Sequence, residues 1–503
     1  MSNKKITAII DSFLSRDSIA YRDINKTLLY VELYERIRRA CGALRSCKRS
    51  GRSVVVFAEK NVETIHLMYT CWRLGLAFCP VDASLPSTRI KEILEQLKGG
   101  MIVFTENQSD RCADILAYAA ELGWPVIRNE ETLMHSPVDV TGDVKEETVA
   151  YILFTSGSTG SPKAVQITHS NFNAFLSNFP KSYASETPAR FLSIGQYHFD
   201  MTILDCVVPA VYGQDMFLYS YPLIGESFAS IIKEFHINRF CIVPSVLHLL
   251  ISSSPSLISP DTVKELQVLL LGAERPYPHD VETLMNANSS LNIINAYGPT
   301  EVTMCCTAKE NLTADSLISG ERSPIGRPFN GVNWLIETPA GWEKSGEGPL
   351  LIAGAQVMLG YIDDRATEDA FEVIEDRKYY RTGDIVQITS EGEFFYIGRA
   401  DDEVKINGVR IHLQDVALNA AKAFSGKHVE AASVFLDGAD RLVLFYSGDR
   451  CITDDDRALL REYLPRSMMP YRLIRVPEFP RLESGKVNRR ALKELATDCH
   501  VTR

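Results

Sequence analysis

Apolar residues along the chain alternate between short continuous runs and the spacing of amphipathic helices. Residues 28–46 repeat apolar positions at helical spacing, and the wholly apolar run Val54–Phe57 follows them. A second helical stretch at 62–74 precedes a further group of strand-like runs, which are Met101–Phe104, Val126–Ile127, Tyr151–Phe154, Phe240–Val243 and Val268–Leu271. Because strands that alternate with helices usually pair in parallel, this pattern predicts layered α/β subdomains.

The pattern changes beyond about residue 320, where glycine and proline become frequent and the apolar runs shorten. Runs such as Trp334–Ile336 and Leu350–Ile352 predict antiparallel strands and therefore a β-rich subdomain. A charged turn near residue 400 leaves roughly 100 residues, which is enough for one small domain. We predict a large N-terminal domain over 1–399 and a small, mobile C-terminal α/β domain over 400–503.

Composition narrows the possible functions. The chain has 503 residues, of which 45% are hydrophobic, and its formal net charge of −11 argues against nucleic-acid binding. No apolar stretch approaches the ~18 residues of a membrane span, and no secretory signal follows Met1. The 11 cysteines include no zinc-type cluster. We expect reduced thiols, a cytoplasmic location and no membrane insertion.

A loop rich in hydroxyls and glycines follows the run Tyr151–Phe154. Its residues are Thr155, Ser156, Gly157, Ser158, Thr159, Gly160, Ser161, Pro162 and Lys163. Glycines let backbone N–H groups approach an anion closely, hydroxyls add donors, and Lys163 adds a positive charge. We interpret the loop as a phosphate-binding site, although flexible surface loops often have the same composition. It is not a Walker loop, because Gly160 is followed by Ser-Pro-Lys.

The segment Leu153–Lys163 resembles the signature of the adenylate-forming superfamily, which includes acyl-CoA synthetases, firefly-type luciferases and amino-acid adenylation domains. Further segments match that superfamily's motifs in order along nearly the whole chain: Leu29–Leu33, Gly75–Asp82, Asn295–Glu301, Tyr380–Asp384, Gly398–Asp401, Lys405–Gly408, Leu464–Pro470 and Ser484–Val487. Chance explains such an ordered series poorly. Two motifs depart from the common pattern, because residues 346–354 are altered and Asn407 stands where arginine is frequent.

The resemblance implies how the nucleoside of ATP would be held. Adenine would stack on Tyr297 and bond the amide of Asn295, with Ala296 between these two residues in sequence. The ribose hydroxyls would bond Asp384, and Arg399 would also reach the nucleotide.

The resemblance also implies three catalytic residues. Thr300 would bond a phosphate oxygen, and Glu301 would be a ligand of Mg²⁺ alongside the phosphates. Lys486 would bind ATP and place positive charge where negative charge develops in the reaction. Taken singly, Glu301 or Asp384 would more often be a solvated surface carboxylate and Lys486 a surface charge on a helix, and only the ordered motifs favour the functional interpretation.

Asp200 separates two classes within the superfamily. In amino-acid adenylation domains an aspartate follows phenylalanine at this place and pairs with the substrate's α-ammonium, whereas acyl-CoA synthetases and luciferases generally lack it. The alternative for Asp200 is a helix cap. By the family's register the side-chain pocket would be lined by Met201, Leu204, Cys241, Leu271, Ala273, Ala296, Met304 and Cys305. These residues are apolar and several are bulky, which favours glycine or alanine, although such residues are also common in plain cores.

The acceptor is inferred from the end of the chain, which comes 17 residues after Lys486 without a carrier motif. We expect a freestanding enzyme, similar to D-alanine–carrier protein ligases, that loads the phosphopantetheine thiol of a separate acyl or peptidyl carrier protein. Between the two steps the small domain would rotate about the hinge residue Asp401. The alternatives are an acyl-CoA ligase for a small carboxylic acid and a non-catalytic nucleotide sensor. His198 could gate a thiol tunnel or simply fill a polar notch in the core.

Overall fold

A computed structural model gives the fold, and most of the chain can be described. The described residues are 5–48, 51–105, 109–140, 143–157, 161–183, 189–220, 224–318, 322–424, 428–436, 439–447, 452–481 and 487–498. The chain divides into two compact units, each described below by itself. Unit 1 consists of Met1–Ala83, Leu97–Leu153 and Ala164–Ala400, and unit 2 consists of Ser84–Gln96, Phe154–Lys163 and Asp401–Arg503. The predicted boundary at 399/400 and the predicted mobility of the C-terminal domain stay predictions.

Helices occur in both units. In chain order they are α1 (Ile6–Ser12), α2 (Tyr30–Ser46), α3 (His66–Arg73), α4 (Ser87–Leu97), α5 (Ser109–Glu121), α6 (Asn129–Thr132), α7 (His169–Asn178), α8 (Asp200–Tyr212), α9 (Gly225–Glu234), α10 (Pro244–Ser253), α11 (Pro260–Val263), α12 (Pro278–Ala287), α13 (Ala314–Ile318), α14 (Asp364–Ala370), α15 (Leu413–Ala423), α16 (Asp454–Tyr463) and α17 (Arg489–Asp498). In the described ranges, no helix combines the length and apolar character needed to cross a lipid bilayer.

Strands make up most of the remaining regular structure. In chain order they are β1 (Ile19–Arg22), β2 (Thr27–Leu29), β3 (Ser53–Phe57), β4 (Ala77–Pro80), β5 (Gly100–Phe104), β6 (Val126–Arg128), β7 (Val149–Thr155), β8 (Lys163–Thr168), β9 (Arg190–Ser193), β10 (Asp215–Leu218), β11 (Arg239–Ile242), β12 (Val268–Gly272), β13 (Asn292–Tyr297), β14 (Thr307–Lys309), β15 (Ser323–Pro328), β16 (Asn333–Thr338), β17 (Gly341–Glu343), β18 (Gly346–Ala353), β19 (Gly360–Tyr361), β20 (Phe371–Ile374), β21 (Arg377–Ile388), β22 (Phe394–Arg399), β23 (Glu403–Ile406), β24 (Val409–His412), β25 (Val429–Leu436), β26 (Ala439–Tyr446) and β27 (Arg472–Arg475).

The large sheet of unit 1 joins a parallel half to an antiparallel half. Its order is β17-β16-β18-β21-β22-β15-β14-β13-β12-β11-β9-β10-β1-β2, with β20 paired to β21. From β10 through β9, β11 and β12 to β13 the strands run parallel. From β13 outward through β14, β15 and β22 the pairing is antiparallel. This sheet confirms the predicted α/β class with an added β-rich part.

The second sheet of unit 1 has the order β19-β8-β7-β4-β3-β5-β6. Its central strands pair in parallel, with β3 between β4 and β5. Helices of amphipathic sequence cover these sheets. The predicted helix over 28–46 is α2, whose buried face includes Leu33, Ile37 and Leu44. The helix therefore forms where the helical spacing of apolar residues predicts it, and its apolar face is the buried one.

The described residues of unit 2 form two small sheets. Strands β23 and β24 form an antiparallel pair, and β25-β26-β27 form the other sheet. Helix α15 packs its buried face, including Val416 and Ala420, into the apolar cluster of this unit. Arg89 of α4 donates to Asp415 at the start of α15 across 3.0 Å. Burial raises the pKa of Asp415 to about 6 in spite of this arginine.

His66 gives unit 1 a source of acid sensitivity. Its side chain is fully buried in α3, and burial lowers its pKa from 6.5 to about 3. Above pH 6.5 the ring is neutral in both the folded and the unfolded state, so it contributes no pH dependence there. Between pH 6.5 and pH 3 the unfolded state binds more protons, so the free energy of unfolding falls as the pH is lowered.

We expect His66→Gln to reduce the loss of stability between pH 6.5 and pH 5 by about 2 kcal/mol. Urea unfolding followed by tryptophan fluorescence measures this loss, because Trp72, Trp124, Trp334 and Trp342 all belong to unit 1. The matched control is His236→Gln, since the His236 side chain is 55% exposed. Equal acid sensitivity in the His66 variant and the wild type would contradict the prediction.

Candidate active site

The predicted nucleotide and substrate residues of unit 1 gather where its parallel strands end. Helix α8 begins at Asp200 after β9, and β12 and β13 end side by side, with Gly272 opposite Ala296. The chain then passes through a short 3-10 helix, Thr300–Val302, before it returns as β14. The carboxyl ends of parallel strands commonly hold ligands in α/β proteins, so this edge is the candidate site.

Asp200 lies at the first turn of α8 and is partly buried. Its Oδ2 atom accepts a hydrogen bond from the Thr300 hydroxyl at 2.8 Å, and its Oδ1 atom accepts one from the backbone N–H of Met201 at 2.8 Å. Asp200 is the first residue of the helix and bonds a backbone N–H of the first turn, but the N-cap position is Phe199, which has no side-chain capping bond. The Asp200 carboxylate also joins the substrate motif to Thr300, which is the residue predicted to bond phosphate.

Glu301 is the predicted metal ligand. Its side chain is fully buried, and its Oε1 atom accepts a hydrogen bond from the Tyr361 hydroxyl at 2.8 Å. This donor chemistry fits Mg²⁺, because a buried carboxylate is stabilised by a cation and supplies a hard oxygen ligand. In the described part of the chain, no three His, Cys, Asp or Glu side chains come together as a metal-binding group.

Asp384 is the centre of the predicted ribose site and is almost fully buried. The Tyr297 hydroxyl donates to its Oδ2 atom at 2.5 Å, and Arg399 Nη1 donates to its Oδ1 atom at 2.9 Å. Burial and the Asp384 carboxylate raise the pKa of Tyr297 well above its ordinary value, so the phenol stays protonated and donates. The structure thus brings together three residues that the adenine, ribose and hinge motifs predict separately.

The two residues predicted to contact adenine, Asn295 and Tyr297, make different contacts within the protein. The Asn295 amide donates to the backbone carbonyl of Pro324 at 2.8 Å, which fixes the side chain against β15. The Tyr297 ring lies 6.2 Å from the ring of Tyr396 on β22, and Arg275 lies over the Tyr396 ring at 5.2 Å. The sequence motifs did not indicate Tyr396 or Arg275, because strand pairing alone places them here.

Most of the predicted pocket residues lie on one face of the sheet. The buried residues Leu204, Cys241, Ala296, Met304 and Cys305 belong to one apolar cluster, and Met201 packs against it. A β-carbon placed on Gly272 would lie 3.5 Å from Met201 Cε, so this side chain covers the end of β12. Met201, the residue after Asp200, thus extends from the start of α8 to the end of β12.

Leu271 packs elsewhere. It lies with Phe240, Ile242 and Leu269 in a second cluster on the opposite face of the sheet from Cys241. Successive strand residues point to opposite faces, and Leu271 follows Leu270, which faces the first cluster. The structure therefore does not bring Leu271 together with the other pocket residues.

The sequence motifs did not indicate two buried ionisable groups, Lys60 and Asp205 of α8. Lys60 Nζ donates to Ser193 Oγ at 2.8 Å. Burial lowers the pKa of Lys60 and raises the pKa of Asp205, so both shift toward their neutral forms. Burial and the Asp205 carboxylate raise the pKa of the Cys241 thiol well above its ordinary value.

The phosphate loop belongs to unit 2. It leaves β7 at Thr155, and a β-carbon on Gly157 would lie 2.3 Å from the Ser161 carbonyl oxygen, so only glycine fits there. The Ser156 hydroxyl donates to the Arg410 carbonyl at 2.9 Å and accepts from the His412 N–H at 3.1 Å. The Ser156 hydroxyl, which is one of those predicted to bind phosphate, is therefore already hydrogen-bonded to the protein backbone.

The remaining predicted site residues lie outside the described part of the chain or make few contacts that bear on their predicted roles. Ser158, Thr159, Gly160 and Lys486 lie outside the described residues. The predicted hinge residue Asp401 accepts a hydrogen bond from the Glu403 N–H at 3.2 Å. His198 is stacked at a tilt on Phe199, and burial lowers its pKa, so its ring is neutral at pH 7. These observations leave both predicted roles of His198 open.

Comparison with known proteins places the chain in a family. A sequence profile described as AMP-binding enzyme matches residues 13–362. The L-proline–[L-prolyl-carrier protein] ligase of Pseudomonas fluorescens is 29% identical over 93% of this chain and 94% of its own length. The D-alanine–D-alanyl carrier protein ligase of Bacillus licheniformis is 25% identical over 96% and 97%. The chain spans only 9% to 20% of several longer curated relatives, which include nonribosomal peptide synthetases.

Solved structures share the fold. The Vibrio cholerae adenylation domain AlmE, solved in complex with glycyl-adenosine-5'-phosphate, superposes with a TM-score of 0.82. It covers 97% of this chain and 97% of its own chain at 21% identity, so the similarity concerns architecture.

Ala273, which follows β12, offers a test of the site's backbone. Its φ angle is +70°, in the left-handed region that disfavours a residue with a β-carbon. We expect Ala273→Gly to raise the free energy of unfolding of unit 1 by about 1 kcal/mol, since relief of strain exceeds the entropy lost by glycine. Urea unfolding followed by tryptophan fluorescence gives the value. The control Ala308→Gly in strand β14 should lower stability instead, and a loss in both variants would contradict the prediction.

Proposed function

Because the chain belongs to the AMP-binding enzyme family, we propose that it is an AMP-forming ligase that activates a small amino acid. ATP and the amino acid give an aminoacyl adenylate and pyrophosphate, and the aminoacyl group then passes to the phosphopantetheine thiol of a separate carrier protein. Glycine and alanine are the favoured substrates. The observation that carries the proposal is the Asp200 carboxylate, which accepts a hydrogen bond from Thr300 and is followed in α8 by Met201, a residue that packs against the apolar cluster.

Asp200 supplies the reason for preferring an amino acid to a simple acid. A partly buried carboxylate next to apolar residues is stabilised by a cation, and an α-ammonium group supplies one. Its hydrogen-bond donor Thr300 is a neutral hydroxyl. Burial and the Asp200 charge also raise the pKa of Tyr151 well above its ordinary value, which keeps that neighbouring phenol neutral.

The proposed size of the substrate follows from the pocket. Met201 covers the end of β12, and Met304 and Cys305 are almost fully buried. A side chain larger than a methyl group would have to displace these residues, which is costly in a packed interior. Of the two ligase relatives, one is named for D-alanine, which is consistent with a small substrate, and the other is named for L-proline.

In the first step, an oxygen of the substrate carboxylate attacks the α-phosphorus of ATP. An oxygen–phosphorus bond forms, the bond to the bridging oxygen breaks, and pyrophosphate leaves. The Asp384 carboxylate would accept hydrogen bonds from the ribose hydroxyls, and hydrogen bonds from Tyr297 and Arg399 hold this carboxylate in place. Lys486 would neutralise charge that develops during the attack. Bound Mg²⁺, held in part by Glu301, would supply further charge neutralisation at the phosphates.

In the second step, the thiolate sulfur of phosphopantetheine attacks the carbonyl carbon of the adenylate. A carbon–sulfur bond forms, the carbon–oxygen bond to AMP breaks, and AMP leaves with the electron pair. We propose that residues 400–503 form the mobile domain that exchanges Lys486 for the Lys405–Gly408 segment between the steps, with Asp401 as the hinge.

ATP–pyrophosphate exchange across glycine, both enantiomers of alanine, larger amino acids and simple acids such as acetate and propionate tests the substrate class. We expect the highest kcat/KM with glycine or alanine. Exchange with simple acids and with no amino acid would instead establish the acyl-CoA ligase alternative.

Asp200→Asn removes the charge and keeps the size of the side chain. We expect about a 100-fold lower kcat/KM for the amino acid with little change in the KM for ATP, because the ammonium loses its buried partner. Asp363→Asn is the matched control, since Asp363 also accepts backbone N–H groups at a helix start but is exposed. Equal activity of the two variants would refute the role of Asp200.

Lys486→Ala tests the catalytic lysine. We expect the exchange rate to fall at least 100-fold, because fixed positive charge at the reacting phosphate is lost. Lys493→Ala, which removes an exposed lysine of α17, should retain the wild-type rate. A Lys486 variant with full adenylation activity would contradict the proposed first step.

A further inference from the structure

The turn that carries Met304 and Cys305 has an unfavourable backbone. Thr303 and Met304 have φ angles of +56° and +72°, so two consecutive residues with β-carbons occupy the left-handed region. Residues with a β-carbon rarely adopt this backbone conformation. Two such residues in succession require stabilising contacts from outside the turn. The turn lies directly after Thr300 and Glu301, so its shape affects the whole substrate edge.

Gln356 supplies that support. It lies in the loop after β18, and only 3% of its surface is exposed. Its Nε2 atom donates to the Val302 carbonyl at 3.0 Å and to the Cys305 carbonyl at 2.8 Å, so one amide joins the two ends of the turn. Its backbone carbonyl accepts from the Thr303 hydroxyl at 2.5 Å.

The orientation of the amide is fixed by chemistry. Two carbonyl oxygens face the Nε2 position, and each requires a donor. The reversed amide would place the oxygen of Gln356 against both, which would leave two buried acceptors without a hydrogen bond. Gln356 therefore uses both of its N–H groups on the turn.

The loop that carries Gln356 is itself anchored. Asn171 Nδ2 donates to the carbonyls of Ala355 and Val357 at 2.8 and 2.7 Å. The Met358 N–H donates to the Glu301 carbonyl at 2.8 Å. Hydrogen bonds on both sides of Gln356 thus hold its amide at a fixed place relative to the turn.

Gly298 packs closely against the same turn. A β-carbon on Gly298 would lie 2.4 Å from Cys305 Cα and 2.9 Å from the Met304 carbonyl oxygen. The turn is therefore held by close packing against the Gly298 backbone as well as by the hydrogen bonds of Gln356.

We propose that Gln356 is a positioning residue that sets the size of the amino acid pocket by clamping the turn from Val302 to Cys305. This inference rests on the proposed function, because the pocket is that of the proposed substrate. Gln356 itself does not touch the substrate. It acts through the backbone of Met304 and Cys305, whose placement determines how much room remains beside Asp200.

The test compares Gln356→Met with Gln166→Met. Methionine keeps the length of glutamine and removes the amide donors. Gln166 is a matched control, since its amide donates to the Tyr361 carbonyl at 3.1 Å, away from the turn. For each variant, KM for ATP, KM for the best acid substrate of the wild type and the preference over larger substrates are measured by pyrophosphate exchange. Hydrogen–deuterium exchange of the peptide covering 299–307 reports the turn without any substrate.

For Gln356→Met we expect about a tenfold lower preference for the small substrate over larger ones, with KM for ATP within about twofold of the wild type. We also expect faster deuterium uptake in 299–307, where the N–H groups of Thr303, Cys305 and Cys306 are hydrogen-bonded within the turn and to β13. Gln166→Met should match the wild type in both measurements.

Two results would overturn the inference. Unchanged deuterium uptake in Gln356→Met would show that the amide does not clamp the turn, whatever substrate the enzyme uses. Faster uptake with unchanged substrate preference would show a clamp without influence on the pocket. If the wild type activates simple acids and no amino acid, the proposed function fails, and the same comparison with those acids still decides the role of Gln356.

Discussion

The structure of the site depends on one constraint, which is that β13 pairs in parallel with β12 on one side and antiparallel with β14 on the other. The chain must therefore reverse directly after Tyr297 and return to pair Thr307 with it. All of Gly298–Cys306 has to be accommodated in that reversal. Thr300, Glu301, Met304 and Cys305, which are predicted to contact phosphate, metal and substrate, lie in this short segment. Their mutual placement therefore follows from sheet topology rather than from local propensity.

A second level of organisation comes from buried hydrogen bonds between distant segments. The Asp384 carboxylate on β21 accepts hydrogen bonds from the Tyr297 hydroxyl and the Arg399 guanidinium. The Glu301 carboxylate accepts one from the Tyr361 hydroxyl. A buried carboxylate without such donors would be costly, so each pairing fixes two segments at once. The acceptor groups are thereby held in place before a nucleotide arrives, which reduces the reorganisation needed on binding.

Ordered motifs predicted the family and the α/β class correctly, because short segments such as Asn295–Glu301 combine residue types that few other folds require together. Contacts that depend on pairing between distant strands could not be predicted. Leu271 was assigned to the pocket from register, yet strand alternation turns it to the other face. Tyr396, the Lys60–Asp205 pair and Gln356 belong to no motif, and only the folded chain brings them to the site.

The buried Lys60–Asp205 pair limits how this part of unit 1 can vary. Lys60 Nζ donates to Ser193 Oγ, and the Asp205 carboxylate interacts electrostatically with both Lys60 and Cys241. Replacing one member of the pair would leave the other as a buried ionisable group whose charge is no longer compensated, which is costly. Lys60 and Asp205 are therefore expected to change together, to apolar residues of similar volume, rather than one at a time.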